Sequence, residues 1–522
     1  MFPVAMSLLA SFQSSVTILG YPAEMFYRGT QFWAVMISGA MASIIAAEIF
    51  LPVYYKLQFT SVNKYLEERF KSERVRLAVS LSFLLCTIPY MGVVLYGPSL
   101  ALGSEPESKG NFSLRHLTGG IRAVVWTDLV QVFLMFAGLV VVMIRAFYLV
   151  GGVDEAFKIA QQKGRIQFFN VQIDPYSTST LWNAVFGMGI MWSGNYATSQ
   201  TEVQRYCNVT SEAKAKFSAC LCGISIFAYY SGCDPMAIGL IEKTDQLMPY
   251  FVMDQLSSMP GLPGLFVACV FSASLSTLSS GFNALSAVTY DDFLCRYTSV
   301  QKLSETNARR VSRTIAFCYG LIAIGMAFIV SRIDSVLQAA ISIAGALVGP
   351  MFGLFLLGVL CPFANTFGVL CGLFAGEIFG VWVLIGSLVY SKQQPTLPTS
   401  IADCPIELIG NRTFITSAPI QSQGLLSLYH IAYLLVPVMG FVISLSVGTI
   451  LSLLSGGYST ASDVNPDLLS PYAWKLWPAE CVPTKRPKVL IERQSLTNGS
   501  QSSIRKNNNN TKRDSITSTT KL

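Results

Sequence analysis

Charge and histidine are both scarce in this sequence. Only 12% of the 522 residues are charged, against about 25% in soluble proteins, which excludes a single soluble globular domain. The chain has 2 histidines, His116 and His430, so a histidine-ligated metal or a histidine base is not expected. Its 12 cysteines offer no paired metal-ligand spacing beyond Cys220 and Cys222, which a membrane helix explains without zinc. The N-terminus lacks a basic start and a small-residue cleavage site, so we expect no signal peptide.

Long apolar runs take the place of charge. Hydrophobic residues make up 52% of the chain, and the mean hydropathy is +0.50. Runs of about 18 apolar residues or more are typical of membrane-spanning helices, whereas the strands of a barrel would alternate. The sequence therefore predicts an all-α polytopic membrane protein with about eleven spans. We place these spans at 3–20, 33–55, 77–102, 121–148, 179–199, 217–230, 260–289, 312–331, 335–360, 366–390 and 427–455.

Basic residues in short loops set the expected orientation. The net charge of +7 lies mainly in loops and in the tail, which indicates membrane orientation and not nucleic-acid binding. The basic segments 56–76, 205–216, 302–313 and 485–488 should face the cytoplasm, and so should the C-terminus. The loop 391–424 then lies outside, where Asn411 in the sequon Asn-Arg-Thr is open to glycosylation and Cys404 meets an oxidising compartment. We expect a multi-pass protein of the plasma membrane.

The first half of the chain is short of one crossing. A return to the cytoplasm between the first two basic segments needs an even number of crossings, but the spans at 77–102, 121–148 and 179–199 give an odd number. The stretch 103–120 cannot supply another, because a Lys, Arg or Asp at the bilayer centre costs on the order of 2.5 to 3.5 kcal/mol. The span at 217–230 is also short, since it reaches about 21 Å across a core of about 30 Å. An incomplete gene model or a splice form explains both deficits; a dipping helix or a loop misassigned by the charge rule is the alternative.

The most informative polar residues lie on one predicted helix face. Ser272, Ser276, Ser279 and Asn283 follow helical spacing, with Thr277 and Ser280 beside them. One or two such hydroxyls would normally bond to their own helix and let neighbouring helices approach. Six hydroxyls and one amide between 272 and 283 favour instead a row of neutral oxygens that can replace the hydration shell of Na⁺.

Two further spans look interrupted by polar residues. Residues 10–17 read ASFQSSVT and are followed by Gly20 and Pro22, and residues 192–200 read WSGNYATSQ. One interrupted helix opening each half of the chain is typical of an inverted-repeat transporter with its site at the membrane midplane.

A few other residues stay open to two interpretations. Asp128 lies at the start of a span, where it is either part of a cation path or an interfacial residue beside Trp126. Tyr90 and Tyr96 either line a pocket or anchor helix ends at the interface. Glu48 and Glu377 also lie in apolar surroundings, and we assign them no role.

Several stretches resemble the sodium/solute symporter family and cover nearly the whole membrane part. They read FPVAMSLLASFQSSVTILG, FLPVYYKLQFTSVNKYLEERF, YMGVVLYGPSLAL, AVVWTDLVQ, VQRY, PGLPGLFVACVFSASLSTLSSGFNALSAVT, and VLQAAISIAG followed by GP. The likeness is greatest to the animal branch of sodium-dependent multivitamin, monocarboxylate and iodide transporters. ASFQSSVTILG, and YFVMDQL before PGLPGLF, favour the multivitamin members.

The resemblance implies a LeuT-like core of two inverted five-helix repeats, with the first repeat lacking one helix here. Residues 1–200 would hold the first repeat and the start of the second, with the missing crossing near 103–120. Residues 201–361 would complete the second repeat, and 362–456 would add C-terminal helices. Residues 457–522 would form a cytoplasmic, largely disordered tail.

The resemblance also implies site residues. The sodium ligands would be the carbonyls of Ala10, Gln13 and Ala273 and the hydroxyls of Ser276 and Thr277. The substrate side chains would be Thr17, Tyr196 and Asn283, to which we add Tyr90, Tyr96 and Trp192 from the polar pattern, and Asp128 would lie on the cation path. Relatives read Tyr-Gly-Val-Asn-Gln where this chain has Tyr196, Ala197, Thr198, Ser199 and Gln200, so one Asn near the site is lost.

The expected function is Na⁺-coupled import of a small organic monoanion, a vitamin carboxylate or a monocarboxylate, by alternating access. Na⁺ is the coupling ion, no other cofactor is expected, and the partners are this anion and the lipid bilayer. The oligomeric state is left open. An enzyme is not expected, because no base and nucleophile stand at catalytic spacing. The alternative is a truncated, non-transporting isoform or a channel-like membrane protein.

Overall fold

The computed structural model describes residues 13–57, 62–103, 121–178, 180–199, 210–297, 300, 304–331, 333, 335–390, 396–405, 426–457, 461, 464–478 and 482–483. All regular elements within these ranges are helical. In the first half they are α1 (Ser15–Arg28), α2 (Thr30–Tyr55), α3 (Val62–Phe70), α4 (Glu73–Gly103), α5 (Ile121–Val150), α6 (Val153–Gln162) and α7 (Met188–Thr198). In the second half they are α8 (Thr210–Tyr229), α9 (Leu247–Leu256), α10 (Leu262–Val288), α11 (Glu305–Val330), α12 (Val336–Leu360), α13 (Thr366–Val389) and α14 (Val436–Leu454).

Short turns join or extend these helices. Single π-helical turns lie within α2 (Ala46–Phe50), before α7 (Asn183–Gly187) and after α10 (Thr289–Phe293). Short 3₁₀ turns precede α9 (Thr244–Gln246) and α14 (Tyr433–Leu435). The remaining short helices are Leu294–Arg296, Leu426–Tyr429, Pro466–Leu468 and Ala473–Leu476.

Eight helices of the described residues are long and apolar enough to cross a membrane, and they match predicted spans. They are α2, α4, α5 from Val130 to Val150, α10 extended to Arg296, α11, α12, α13, and α14 together with the turn before it. The prediction for the multi-pass helical class is therefore confirmed. The stretch 104–120 lies outside the described residues, so the missing crossing stays a prediction.

Two predicted spans have other boundaries in the structure. The span predicted at 3–20 continues to Arg28, because Glu24 and Arg28 form an ion pair four residues apart that neutralises both charges inside the protein. Our end at Gly20 was therefore wrong. The helix that holds the span predicted at 217–230 begins at Thr210 and has 20 residues, but its apolar part, Ala219–Tyr229, is still shorter than a full crossing.

Helix α12 is the centre of the bundle and α11 is its rim. In the apolar window of each, 83% of α12 is buried but only 22% of α11. Glycines let α13 and α14 approach closely: a Cβ on Gly376 would lie 2.7 Å from the Gly440 carbonyl oxygen, which is the small-residue packing common between membrane helices. The exposed face of α11, with Phe328 and Ile329, suits contact with lipid.

A disulfide marks one face of the bundle. Cys233 bonds to Cys404, and the Asp234 N–H donates to the Ser400 carbonyl oxygen at 3.0 Å, as the Asp403 N–H does to Gly232. The spans α10, α11, α12 and α13 lie between the two cysteines. An even number of crossings returns the chain to the same side, as the bond requires. Because disulfides persist in oxidising compartments, this face agrees with the outer side predicted for the loop at 391–424.

Candidate functional site

Helix α1, which was predicted to be interrupted, and the serine-rich helix α10 meet at one backbone carbonyl. The Ser15 hydroxyl at the start of α1 donates to the Val94 carbonyl oxygen at 3.0 Å, and the Ser274 hydroxyl on α10 donates to the same oxygen at 3.1 Å. Two hydroxyls on one acceptor lie no more than about 6 Å apart. The geometry thus brings together the two helices from which the sodium ligands were predicted, with α4 as the third member.

The predicted sodium ligands on α10 are buried within a single turn. Ala273, Ser276 and Thr277 are 0%, 1% and 8% exposed, and the Thr277 hydroxyl donates to the Ala273 carbonyl oxygen at 3.1 Å. The alternative interpretation, in which the hydroxyls of this helix bond to its own backbone, therefore also holds for Thr277 and Ser280. The two uses are compatible, because a hydroxyl that donates its proton keeps oxygen lone pairs that can accept a cation.

On α1 the structure describes only part of the predicted set. Gln13 is 3% exposed, and its Nε2 has no hydrogen-bond partner within the described ranges. Ala10 lies outside those ranges. Thr17 is buried one turn into α1. The serine helix and the first residues of α1 thus offer neutral oxygens, and no group of three His, Cys, Asp or Glu side chains that could hold a metal occurs in the part of the chain that the structure describes.

A cavity of about 170 Å³ lies between α4, α7, α10 and α12. Tyr90, Trp192 and Thr277 line it, as expected for two predicted substrate residues and one predicted sodium ligand. Its other polar residues are Thr87, Asn195, Thr198, Ser199 and Ser280, and its apolar walls include Phe83, Met191 and Val348. None of the described lining residues carries a charge.

The remaining predicted residues lie elsewhere. Tyr96 is near the C-terminal end of α4, where the Lys243 ammonium lies 3.4 Å from its hydroxyl and 5.4 Å from its ring centroid. Tyr196 packs with Ala42 and Ala46 of α2, and Asn283 is exposed.

Two predicted residues fall where side chains are not described. Asp128 belongs to helix α5, but the structure does not describe its side chain. Asn411 lies outside the described residues altogether. Their roles on a cation path and in glycosylation stay predictions.

Sequence reasoning missed some of the cavity residues. Asn195, Thr198 and Ser199 stand in the polar stretch that predicted an interrupted helix, so that stretch carried a signal without saying which side chains face inward. Thr87 and Cys86 also line the cavity, but single small residues inside an apolar run gave no signal.

Comparisons with known proteins agree with this geometry. A profile described as "Sodium:solute symporter family" matches residues 1–376. The chain is 38% identical to sodium-coupled monocarboxylate transporter 1 of Xenopus laevis over 505 residues, covering 90% of this chain and 80% of that protein. It is 39% identical to the sodium-dependent multivitamin transporter of Oryctolagus cuniculus over 512 residues, covering 91% of this chain and 80% of that protein.

A solved structure shares the fold. It is the substrate-bound outward-open state of a Na⁺-coupled sialic acid symporter, with a TM-score of 0.63 and 23% identity, covering 87% of this chain and 89% of that one. The expected LeuT-like, all-helical fold is thereby confirmed. From the profile and the relatives together, the chain belongs to the sodium:solute symporter family, whose members are transporters and not enzymes.

Proposed function

We propose that this protein is a Na⁺-coupled symporter that imports a small organic monoanion across the plasma membrane by alternating access, with its C-terminus in the cytoplasm. The relatives named as sodium-coupled monocarboxylate and multivitamin transporters support this substrate class. The observation that carries the proposal is Thr277, a predicted sodium ligand whose side chain also forms part of the cavity wall.

The sodium site would consist of the carbonyls of Ala10, Gln13 and Ala273 and the hydroxyls of Ser276 and Thr277. These uncharged oxygens suit Na⁺, a hard cation that needs several oxygen ligands. Asp128 would lie on the path by which the cation enters or leaves.

The sodium ion would also act as the counter-charge of the substrate. The described cavity residues carry no positive charge, so a carboxylate beside Thr277 would face the bound Na⁺ directly. Two opposite unit charges about 5 Å apart attract by about 3 kcal/mol at an effective dielectric constant near 20, roughly a hundredfold in affinity. By linkage, Na⁺ and the anion then strengthen each other's binding to the same extent, and each Na⁺ moving inward gains about 2.3 kcal/mol per 100 mV.

The size of the cavity favours the smaller anions. A cavity of about 150 Å³ is known to hold benzene, and this one measures about 170 Å³. A short monocarboxylate such as lactate or pyruvate fits a space of that size, whereas biotin exceeds it. We therefore propose a short monocarboxylate as the carried anion, with the vitamin carboxylates as the competing class.

Uptake measurements test the proposal. Cells expressing the chain should accumulate labelled lactate or pyruvate in Na⁺ medium and not in choline medium, and labelled biotin should compete weakly. Thr277→Val removes the hydroxyl at nearly constant shape and should raise the Na⁺ concentration for half-maximal uptake at least tenfold, while Thr277→Ser should restore it.

Ser286→Ala is the matched control for this pair. Ser286 lies on the same helix outside the row of predicted sodium ligands and donates to the Ser312 carbonyl oxygen at 2.7 Å, so the Na⁺ dependence of its variant should stay near that of the wild type. Uptake that is unchanged in choline would reject Na⁺ coupling. A Thr277→Val variant with wild-type Na⁺ dependence would reject the site.

A further inference from the structure

The turn Thr244–Gln246 and the preceding Lys243 form hydrogen bonds with the connection between helices α11 and α12. The Lys243 ammonium donates to the carbonyls of Ser331 and Ile333 at 2.5 and 2.8 Å, just after the end of α11. The Asp245 Oδ2 accepts from the Val336 N–H at 2.6 Å, at the first residue of α12. A cation at a helix C-terminus suits the helix dipole, and the Asp245 oxygen satisfies one of the N–H groups that lack a partner at the start of α12. We call Lys243 and Asp245 together the outer clamp.

The clamp is held in shape by its own turn. The Gln246 side-chain oxygen accepts from the Glu242 and Lys243 N–H groups at 2.8 and 2.9 Å. Asp245 is 1% exposed, and its Oδ1 has no hydrogen-bond partner among the residues that the structure describes. A fully buried carboxylate with one unpaired oxygen is costly when ionised, because burial removes its hydration without replacing it.

We propose that Asp245 is an external proton-binding site: a proton on Oδ1 favours docking of the turn Thr244–Gln246 on α12, and loss of that proton favours its release. Oδ2 accepts from the Val336 N–H in either form, so protonation removes a buried charge without breaking that bond. Helix α12 also lines the cavity with Ala344, Val348 and Met351, so the state of the clamp bears on the wall of the transport site.

The charges around Asp245 allow protonation at physiological pH. Burial raises the pKa of Asp245 to about 7; the Val336 N–H bond opposes the rise, the nearby Glu24 adds to it, and Lys243 and Arg28 oppose it. Glu24 and Arg28 of α1 are paired with each other, and the Tyr433 hydroxyl donates to Glu24 at 3.1 Å. Tyr27 of α1 and Tyr96 of α4 also lie within electrostatic range of Asp245. Arg332 and Asp334 lie outside the described residues.

The sign of the effect follows from this raised pKa. A carboxylate whose pKa is higher when docked than in water binds its proton more tightly in the docked state, so docking is favoured at low pH and weakens as the pH rises through about 7. Between pH 8 and pH 6 the docking equilibrium should change about tenfold.

Thermal unfolding of the purified full-length chain between pH 6 and pH 8 tests the site without any transport. Asp245→Asn keeps an oxygen for the Val336 N–H but carries no charge, so the variant should be more stable than the wild type at pH 8. Between pH 8 and pH 6, the ratio of the wild-type unfolding equilibrium constant to that of the variant should fall about tenfold. Glu242→Gln is the matched control, because Glu242 is an exposed acid three residues away, and it should follow the wild type at every pH. A difference between Asp245→Asn and the wild type that does not vary with pH would overturn the proposal.

A second variant tests the bond that connects the proton to the helix. Val336→Pro removes the N–H at the first helical position, where proline is well accepted, and the preceding Ser335 already has φ −128° and ψ 124°, as a residue before proline prefers. Without its donor the carboxylate is harder to ionise, so the pH midpoint of the stability change should move upward. An unmoved midpoint would also overturn the proposal. External-pH profiles of Na⁺-dependent uptake should flatten in Asp245→Asn and not in Glu242→Gln.

Discussion

Asn195 and Tyr196 are neighbours in the sequence but occupy different surroundings. Asn195 lines the cavity, whereas Tyr196 packs with Ala42 and Ala46 of α2. Successive residues of a helix point about 100° apart, so the polar stretch could be recognised as part of the site without showing which of its side chains face inward. The rotation of α7 is set by its packing on α2, which the sequence of α7 alone does not contain.

This difference gives a prediction about substrate affinity. Asn195→Ala should raise the KM for the carried anion about 5- to 10-fold, because one hydrogen bond contributes about 1 kcal/mol or slightly more. Tyr196→Phe should leave that KM unchanged, since its ring does not reach the cavity. Initial uptake rates against substrate concentration at saturating Na⁺ decide between them. A raised KM in Tyr196→Phe together with a normal one in Asn195→Ala would mean that α7 is rotated.

At the scale of elements, α12 is held by a polar side chain at each end. Asp245 binds its N-terminus, and the Arg69 guanidinium of α3 donates to the carbonyls of Gly358, Cys361 and Pro362 at 2.8, 2.8 and 3.2 Å. The carbonyls at the end of a helix lack partners within it, and a cation there also suits the dipole. The charge rule predicted Arg69 as a cytoplasmic loop residue, but it is 5% exposed, because its donors serve a helix distant in the sequence.

Removing this cap should destabilise the protein. We expect Arg69→Gln to lower the free energy of unfolding by about 2 to 3 kcal/mol, since hydrogen bonds from a charged donor contribute more than neutral ones. Arg74→Gln changes an exposed arginine nearby and should have little effect. Thermal unfolding in the same detergent measures both. Equal stability of the two variants would show that the α12 carbonyls are satisfied without Arg69.

At the scale of the whole molecule, apolar length predicted the long spans well, because the bilayer fixes how long a crossing must be. Prediction was poorer for features that depend on an interaction between residues of the folded chain. The end of α1 depends on the Glu24–Arg28 pair, and the pairing of Cys233 with Cys404 depends on the four spans between them, which bring two loops together. The family resemblance supplied the predicted sodium ligands on α10, whereas Thr87 became evident only through the cavity that it lines.

Orientation in the membrane can be tested on the whole chain. If the disulfide face is extracellular, Asn411 carries a glycan, and treatment with a peptide N-glycosidase should increase gel mobility in the wild type. In Asn411→Gln the part of this mobility increase that is due to the Asn411 glycan should be lost. The sequon at Asn208 lies in a segment predicted to face the cytoplasm, so Asn208→Gln should remove none. If only Asn208→Gln changed the mobility, the orientation of the chain in the membrane would be the reverse of the one predicted.

Formation of the bond between Cys233 and Cys404 also marks a time in the synthesis of the chain, after which all four spans between the two cysteines are present. Its cysteines are 171 residues apart, and a ribosome adding about 5 to 20 residues per second needs roughly 10 to 35 s to cover that distance. Cys233 therefore cannot bond to Cys404 until α10 to α13 have been made. Oxidation of this pair in newly made chains would report that the translocon has released all four helices and that they have assembled.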